Sequence, residues 1–273
     1  REGRYYLAKI GHYLLHDSMT RINMDFTQDV CYQGLFHLAE SLSTEKPAGL
    51  SVFGEWPTIY PALSALPEQA QRSWFAFDHF YSDGAFDAAL PLIFASSPTK
   101  LYDVGGNTGK WALRCCRYDE NITVTLLDLP QQIALARENI ANAGLSHRIA
   151  FHPVDMLSDA VLPGDADIWW MSQFLDCFSP DQIVTLLGNV AKVMKPGARL
   201  CILEPFWDAQ KFEAASFSLN ATSLYFTCMA NGNSRFYSVE KFYHYLERAG
   251  FRVEQRHDNL GGGHTLLICQ KNE

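Results

Sequence analysis

A glycine-rich turn after an apolar run is the feature of this 273-residue chain that most directly indicates chemistry. Residues 101–110 read LYDVGGNTGK, so an apolar segment leads straight into Gly105, Gly106 and Gly109. Glycines allow the backbone to turn tightly and let a ligand approach it closely. A helix that begins there leaves its first N–H groups unpaired, and these can bind polar or anionic groups of a ligand. The segment predicts a strand, a ligand-binding turn and a helix.

Acidic residues around this turn indicate which ligand binds. The dinucleotide-binding spacing G-x-G-x-x-G holds a pyrophosphate at the helix start. Here the spacing is D-x-G-G-x-x-G, and Asp103 precedes the glycines. A carboxylate there repels a pyrophosphate and suits a cation, such as the ammonium or sulfonium of S-adenosylmethionine. Asp128 and Asp155 follow the next two predicted strands. The pattern favours a methyltransferase, with a nicotinamide oxidoreductase as an alternative.

The motifs together resemble those of the class I S-adenosylmethionine-dependent O-methyltransferases of the hydroxyindole and caffeic-acid type, in their bacterial branch. The signatures of that family read DVGGGTG, DLP and GDM. This chain has DVGGNTG at 103–109, DLP at 128–130 and VDM at 154–156. The resemblance extends from about Leu101 to the end of the sequence.

The resemblance implies an α/β fold with a Rossmann-like, seven-stranded methyltransferase sheet whose last strand is antiparallel. It also implies an N-terminal helical domain, with residues 1–15 as the remnant of a winged-helix dimerisation module. The expected domains are 1–98, a helical region for dimerisation and substrate capping, and 99–273, the S-adenosylmethionine-binding catalytic domain. Members of the family form homodimers through their N-terminal helices, so a homodimer is expected.

Hydrophobic periodicity predicts the elements that position these residues. Strands are predicted at 100–105, 122–128, 148–154, 166–172, 198–204, 251–256 and 264–270. Helices are predicted at 25–42, 68–80, 108–118, 130–143, 180–195 and 238–249, with a helix-compatible insertion at 209–231. The three glycines at 261–263 are interpreted as the turn of a terminal hairpin. An aromatic stripe at 74–80 suits either a core or a pocket wall.

The cofactor is expected at the carboxyl ends of the strands, where open α/β sheets bind ligands. The ribose is placed on Asp128, the adenine near Asp155 and Met156, and the methionine end near Asp103 and Gly105. The residues expected to bind S-adenosylmethionine are Asp103, Gly105, Gly106, Gly109, Asp128, Leu129, Asp155, Met156 and Ser172. The product would be S-adenosylhomocysteine, and no metal is expected.

The catalytic positions depart from the family pattern. In the family a His followed by an Asp deprotonates the acceptor hydroxyl, and this chain has Asp176 and Cys177 there. The supporting glutamate is present as Glu204, whereas the second one is replaced by Ser234. We hypothesise that Asp176 takes the place of the base and that Glu204 orients the acceptor. The alternative is that Asp176 caps a helix or pairs with a cation such as Arg235.

For Asp176 to act as the base, its pKa must be higher than that of an ordinary aspartate. A phenol has a pKa of about 10 and an aspartate one of about 3.9, so the mismatch is about 6 units or roughly 8 kcal/mol. Burial among apolar residues such as Phe174, Leu175 and Phe178 would raise the pKa of Asp176 and reduce that mismatch. A carboxylate could also stabilise the cationic character that develops when an electron-rich ring carbon is methylated.

Composition limits the other function classes. The chain has 22 Lys and Arg against 30 Asp and Glu, a net charge of −8 without a basic cluster, which argues against nucleic acid. Seven cysteines without C-x-x-C pairs argue against a disulfide scaffold or a zinc site. Without a long apolar run or a signal peptide, we expect a cytoplasmic protein that does not contact the membrane.

The sequence therefore predicts an S-adenosylmethionine-dependent methyltransferase that acts on a small aromatic acceptor, with a hydroxyl oxygen as the target. One alternative is a C-methyltransferase that acts on an electron-rich aromatic ring. The other is a catalytically silent methyltransferase fold that only binds the cofactor.

Overall fold

A seven-stranded sheet forms the centre of the computed structural model, which describes residues 3–272. The strands are β1 (Lys100–Val104), β2 (Thr123–Asp128), β3 (Ile149–Pro153), β4 (Ile168–Ser172), β5 (Arg199–Glu204), β6 (Phe251–Leu260) and β7 (His264–Lys271). Their order is β3-β2-β1-β4-β5-β7-β6, and β7 runs antiparallel to both of its neighbours, β5 and β6. The predicted Rossmann-like sheet with an antiparallel last strand is confirmed.

The register places the acidic strand ends side by side. Asp103 of β1 pairs with Leu126 of β2, and Asp128 ends β2 opposite Pro153 of β3. Since β1 to β5 are all parallel, their carboxyl ends lie at one edge of the sheet. This edge is therefore where the polar residues predicted from the sequence are brought together.

Helices cover both faces of the sheet. The helices are α1 (Lys9–His16), α2 (Ser18–Phe26), α3 (Leu38–Thr44), α4 (Glu68–Phe94), α5 (Lys110–Tyr118), α6 (Pro130–Asn142), α7 (Pro180–Val193), α8 (Glu213–Tyr225) and α9 (Val239–Arg248). Trp169 packs in the core under α7 and α9, and Trp170 packs in the core under α4, α5 and α6. Both side chains are fully buried, as expected for a central parallel strand that is apolar on both faces.

The N-terminal part packs against the segment that follows β5. A third apolar cluster joins Phe26 and Leu63 to Phe226 and Phe236. In this region α8 continues into a π-helical turn, Phe226–Ala230, and a 3₁₀ turn, Tyr60–Ala65, precedes α4. The cluster holds an aromatic-rich cap over the carboxyl edge of the sheet.

The predicted helix at 25–42 is wrong as a continuous element. α2 ends at Phe26 and is followed by a π-helical turn, Thr27–Cys31, before α3 begins at Leu38. At Gly34 a Cβ atom would lie 2.8 Å from the carbonyl oxygen of Gly49 and would overlap Met229. The backbone at Gly34 thus leaves no room for a side chain, and hydrophobic periodicity does not report such contacts.

The helix predicted at 68–80 is longer than expected. α4 continues to Phe94 with Pro91 inside it. Its second half is buried at Ala85, Phe86 and Ala89, where Phe86 lies 5.0 Å from the ring of Trp111. This packing on the sheet extends the helix beyond the aromatic stripe. As a result, the middle of α4 passes above the glycine-rich turn.

The winged-helix remnant predicted at 1–15 is not confirmed. Residues 4–8 form no strand, and α1 begins at Lys9 and has no buried residue. Residues 1 and 2 lie outside the described part of the chain. The predicted hairpin turn at 261–263 is confirmed between β6 and β7. In the described range 3–272, none of the helices is both long and apolar enough to span a membrane.

Candidate active site

A cavity of about 630 Å³ opens at the carboxyl edge of the sheet beneath α4. One wall consists of the ends of β1, β2 and β4 and the turns that follow them. The opposite wall consists of aromatic residues from α4, the 3₁₀ turn Tyr60–Ala65 and the end of α8. Of the nine predicted cofactor residues, eight line this cavity: Asp103, Gly105, Gly106, Asp128, Leu129, Asp155, Met156 and Ser172.

The glycines of the turn have different roles. Gly105 has φ +70°, and a Cβ there would lie 2.2 Å from the ring of Phe174. A Cβ at Gly106 would lie 2.6 Å from Oδ2 of Asp103. Gly109 does not line the cavity: it precedes α5 at φ +80°, and a Cβ there would lie 3.0 Å from Cδ1 of Ile140 in α6. The first two glycines keep the turn open to a ligand, whereas Gly109 allows two helices to pack closely.

Asp103 is a buried carboxylate whose Oδ2 atom has no hydrogen-bond partner. Burial, together with the negative charge of Asp128, raises the pKa of Asp103 to about 8. An unpaired buried acceptor is costly unless a ligand satisfies it. The ammonium or sulfonium group of S-adenosylmethionine would provide the missing positive charge, so this position fits the cofactor.

Asp128 is held in one orientation by two backbone donors. Its Oδ2 accepts a hydrogen bond from the Asn107 N–H at 2.8 Å, and its Oδ1 accepts one from the Leu129 N–H at 2.7 Å. Burial raises the pKa of Asp128 to about 6, although both hydrogen bonds favour the ionised form. Each carboxylate oxygen keeps a free lone pair, which suits the two hydroxyls of a ribose.

The remaining cofactor-side residues complete this wall. Oδ1 of Asp155 accepts a hydrogen bond from the Leu157 N–H at 2.9 Å, and Met156 is buried beside it. The Ser172 hydroxyl at the end of β4 is buried without a partner. The unsatisfied groups of Asp103 and Ser172 are oxygen atoms that face a cavity large enough for a nucleoside. These features fit S-adenosylmethionine.

Asp176 lines the other end of the cavity. It lies in a 3₁₀ turn, Leu175–Cys177, and only 5% of its surface is exposed. The thiol of Cys177 donates to Oδ1 of Asp176 at 3.4 Å. Burial, and to a smaller extent the negative charge of Asp78, raises the pKa of Asp176 above the usual range of an aspartate. The pKa of Asp176 is thus raised in the direction that a role as base requires, and the role itself stays a prediction.

Glu204 supports the turn from behind and does not line the main cavity. Its Oε1 accepts hydrogen bonds from the Phe174 N–H at 3.0 Å and the Leu175 N–H at 2.9 Å. Burial and the nearby negative charge of Asp176 raise the pKa of Glu204 well above its usual value. The structure places Glu204 on the backbone of the turn that carries Asp176, so any effect on the orientation of the acceptor would be exerted through that turn, and the catalytic role of Glu204 stays a prediction.

Ser234, where the family has a second glutamate, also acts behind the cavity. Its hydroxyl donates to Oδ1 of Asn231 at 2.9 Å, and the Asn231 amide donates to the carbonyl of Cys177. The serine thus orients an asparagine that fixes the end of the Leu175–Cys177 turn. Arg235 is exposed, whereas Asp176 is buried and its side chain accepts from Cys177.

The sequence did not identify the polar residues that α4 contributes. Oδ2 of Asp78 accepts a hydrogen bond from the Asn107 amide at 3.3 Å, and Asp83 pairs with Lys110 at 2.9 Å. Burial raises the pKa of Asp78 to about 6. The signal available in the sequence was Asp78, which interrupts the aromatic stripe of α4, and Asp83, which follows the stripe. Both residues line the cavity.

Aromatic residues form the acceptor end of the cavity, next to Asp176. The Trp74 indole N–H donates to Oη of Tyr225 at 2.7 Å, and Phe77 stacks on Phe26 with ring centres 4.1 Å apart. The hydroxyl of Tyr60 is buried without a partner. The walls of this end are Phe26, Tyr60, Trp74, Phe77, Phe178, Tyr225, Phe226 and Phe236. The space suits a flat aromatic molecule with polar substituents.

Comparison with known proteins agrees with this arrangement. The O-methyltransferase domain family matches residues 86–252 of the chain. An L-tyrosine C(3)-methyltransferase from Streptomyces lavendulae is 27% identical over 277 residues, which cover 99% of this chain and 75% of that protein. The N,N-dimethyltransferase OxyT from Streptomyces rimosus is 29% identical over 86% of this chain and 68% of its own length.

A solved structure has the same fold. The O-methyltransferase NcsB1 from neocarzinostatin biosynthesis, in complex with S-adenosylmethionine and 2-hydroxy-5-methyl naphthoic acid, superimposes with a TM-score of 0.77. The alignment covers 99% of this chain and 79% of that one at 18% identity, a likeness that concerns the fold. The chain belongs to the O-methyltransferase family of the hydroxyindole and caffeic-acid type, and its cofactor is S-adenosylmethionine.

Proposed function

We propose that this chain transfers a methyl group from S-adenosylmethionine to a small aromatic acceptor. The observation that carries the proposal is the single cavity in which an acidic, nucleoside-type wall faces an aromatic end containing Asp176. Eight predicted cofactor residues lie on the first wall, and we assign them to cofactor binding. The aromatic end lies next to them, so both ligands of a methyl transfer would share one enclosed space.

In this proposal Asp176 binds the acceptor hydroxyl and takes up its proton. S-adenosylmethionine supplies an electrophilic methyl group when it is bound. Because burial raises the pKa of Asp176, its proton-transfer mismatch with a phenol is smaller than for an exposed aspartate. Glu204 keeps the turn in place through its two backbone hydrogen bonds. The aromatic walls orient the ring and exclude water.

The proposed target is the hydroxyl oxygen, in keeping with the family. A ring carbon beside the hydroxyl is the second candidate, and two observations favour it. Asp176 and Cys177 replace the His and Asp of the family, and the relative that matches 99% of the chain is a C-methyltransferase of L-tyrosine. A hydroxyl that donates its proton to Asp176 makes the neighbouring ring carbon more nucleophilic, so one site could serve either target.

The experiment is turnover of S-adenosylmethionine with a panel of phenols, aminophenols and anilines, followed by NMR of each product. An O-methyl or ring-methyl signal identifies the target atom. Binding of S-adenosylhomocysteine without any methylated product would contradict the proposal and favour a silent cofactor-binding fold. NAD is the control ligand, since a nicotinamide oxidoreductase would bind it and the proposed enzyme would not.

We also propose that residues 1–98 form the capping and dimerisation region and 99–273 the catalytic domain. Large apolar side chains are exposed along the N-terminal helices, among them Ile10, Leu14, Leu15 and Met19. A second copy of the chain would cover this surface, as the homodimers of the family do. The proposed partners are this second copy and the small-molecule acceptor.

A further inference from the structure

The charges that line the cavity are strongly unbalanced. Six carboxylates line it: Asp78, Asp83, Asp103, Asp128, Asp155 and Asp176. Within the described range 3–272, the basic side chains that line it are His79 and Lys110. The cofactor adds one net positive charge through its sulfonium, since its ammonium and carboxylate cancel. The cavity therefore stays negatively charged when the cofactor is bound.

Both basic side chains are already engaged. Nζ of Lys110 lies 2.9 Å from Oδ2 of Asp83, in an ion pair between α5 and α4. Nδ1 of His79 lies 3.6 Å from Oδ2 of Asp78. Burial lowers the pKa of His79 to about 4, so its ring is neutral near neutral pH. Neither side chain supplies a free positive charge to a second ligand.

The unsatisfied polar atoms at the acceptor end require a ligand that donates hydrogen bonds. Oδ1 of Asn233 is buried without a partner and can only accept. Asp176 is an acceptor when it is ionised. The Tyr60 hydroxyl is a third unpartnered group, able to donate or accept. A hydroxyl, an amide or an amine on the acceptor can satisfy all three groups, whereas an additional carboxylate can accept only from the Tyr60 hydroxyl.

We propose that the methyl acceptor is a neutral or cationic hydroxyaromatic molecule without a free carboxylate, with an amide, ester or amine in the place of the acid. The inference rests on the proposed function. A carboxylate in this cavity would lose its hydration next to Asp176 and Asp78 without gaining a cation. Acceptors such as L-tyrosine, which the Streptomyces lavendulae relative methylates according to its name, are thereby disfavoured.

Pairs of acceptors that differ only in charge test the proposal. We would compare para-hydroxybenzoate with para-hydroxybenzamide, and tyrosine with tyrosinamide, because acid and amide have nearly the same shape. The expected result is a kcat/KM at least about 100-fold higher for each amide, the scale of an unpaired buried charge. Equal or faster turnover of the acids would overturn the proposal.

A binding measurement separates this proposal from the proposed function. Calorimetric titrations with S-adenosylhomocysteine present report affinity without turnover, and the amides should bind at least about 100-fold more tightly than the acids. Tighter binding of the amides without methylated product would contradict the proposed function and support the charge selection. Acids that bind as tightly as amides, or a failure of both series to bind, would overturn the charge selection.

A matched pair of variants on α4 tests whether the carboxylates of the cavity cause the preference for amides over acids. Asp78→Asn removes one lining carboxylate and should reduce the amide-to-acid ratio of kcat/KM by about tenfold, the scale of one charge interaction. Asp87→Asn removes an exposed carboxylate that pairs with Arg114 outside the cavity, and it should leave the ratio unchanged. Equal amide-to-acid ratios of kcat/KM in both variants and the parent chain would contradict the role of the cavity carboxylates in this preference.

Discussion

At the residue scale, Asp176 is the side chain on which the proposed chemistry depends. It is buried, it faces the cavity, and its one side-chain partner is the weakly donating thiol of Cys177. A carboxylate in this environment has lost much of its hydration, which is why its pKa is raised. It is therefore free to accept a hydrogen bond from an acceptor hydroxyl.

Replacing Asp176 by Asn removes the proton acceptor and retains the shape of the side chain. We expect turnover to fall by at least about 100-fold, the usual contribution of a general base, with unchanged affinity for S-adenosylhomocysteine. Asp181→Asn, in the first turn of α7 and exposed to solvent, is the matched control and should retain activity. Full activity of Asp176→Asn would remove this residue from the mechanism.

Asp103 predicts how cofactor binding depends on pH. Its pKa is raised to about 8 by burial and by Asp128, and a bound cation favours its ionised form. Below about pH 8 the carboxyl must release a proton before it can pair with the cofactor. Affinity for S-adenosylmethionine should therefore rise with pH towards about 8, by up to about tenfold per unit.

Calorimetry in two buffers of different ionisation enthalpy measures this proton release directly. About one proton should leave per cofactor bound at a pH well below 8. Asp103→Asn should bind more weakly and lose the pH dependence. An affinity that stays flat between about pH 6 and 8 in the parent chain would contradict the role of Asp103.

The free energy of unfolding of the ligand-free chain should fall as pH rises, whereas the affinity for the cofactor should rise. Folded-state pKa values raised above the unfolded values mean that the folded chain binds more protons. The contribution of Asp103 and Asp128 to the free energy of unfolding is then highest below about pH 4. It is lost as pH rises through the pKa of Asp128, at about 6, and that of Asp103, at about 8. Binding of the cofactor should offset this loss.

At the element scale, the turn Leu175–Cys177 is held at both ends by polar side chains, of which Glu204 lies outside the main cavity and Asn231 lines it. Glu204 accepts two backbone hydrogen bonds at its start, and Asn231, oriented by Ser234, donates to the carbonyl of Cys177 at its end. These contacts come from β5 and from the loop after α8, on the far side of the turn. They fix the position of Asp176 relative to the glycine-rich turn.

Glu204 offers a test that separates support of the turn from contact with the acceptor. Glu204→Gln retains an acceptor oxygen. It should leave the free energy of unfolding close to that of the parent chain and KM within a few-fold of it. Glu204→Ala leaves two backbone N–H groups unpaired and should lower the free energy of unfolding by about 1–3 kcal/mol, with a fall in kcat. Thermal denaturation and steady-state kinetics check both variants. A similar, large rise in KM in both would indicate direct contact with the acceptor.

The strands and helices of the α/β sheet region could be predicted from the hydrophobic periodicity of the sequence. The shared edge of the acidic residues could be predicted from the parallel order of the strands. Asp103 and Asp128 were placed correctly at one edge because parallel strands end together. The π-helical turn Thr27–Cys31 and the close approach of Gly34 to Gly49 were missed, because hydrophobic periodicity reports neither. The contact of Glu204 with the backbone of the turn Leu175–Cys177 was also missed. A side chain at the end of a strand can point to either face of the sheet, and this turn is distant from Glu204 in the sequence.

At the scale of the whole molecule, two parts of the chain enclose one cavity. The sheet provides the acidic wall, and α4 with the end of α8 provides the aromatic wall. The third apolar cluster joins the N-terminal helices to the π-helical turn Phe226–Ala230. The aromatic stripe of α4 was predicted as either a core or a pocket wall, and its Trp74 and Phe77 line the cavity. The strand and helix patterns did not predict that α4 continues beyond the stripe, which brings Asp83 and Phe86 to the same cavity.

The exposed N-terminal surface predicts the oligomeric state. Replacing Ile10 and Leu14 together by Glu places charges on the exposed face of α1 and should convert a dimer to a monomer with an unchanged fold. Analytical ultracentrifugation with circular dichroism measures both properties. Lys9→Glu, a charge change on the same helix, is the control. A parent chain that sediments as a monomer at micromolar concentration would contradict the dimer.

The most direct test of the account is a crystal structure with S-adenosylhomocysteine and the best phenolic amide from the acceptor series. We expect the acceptor ring to lie against Trp74 and Phe77, with its hydroxyl within about 2.6–3.2 Å of the Asp176 carboxylate. The ribose should lie on Asp128. An acceptor bound away from Asp176, or a hydroxyl bound to another side chain, would contradict the central claim that this aspartate receives the proton.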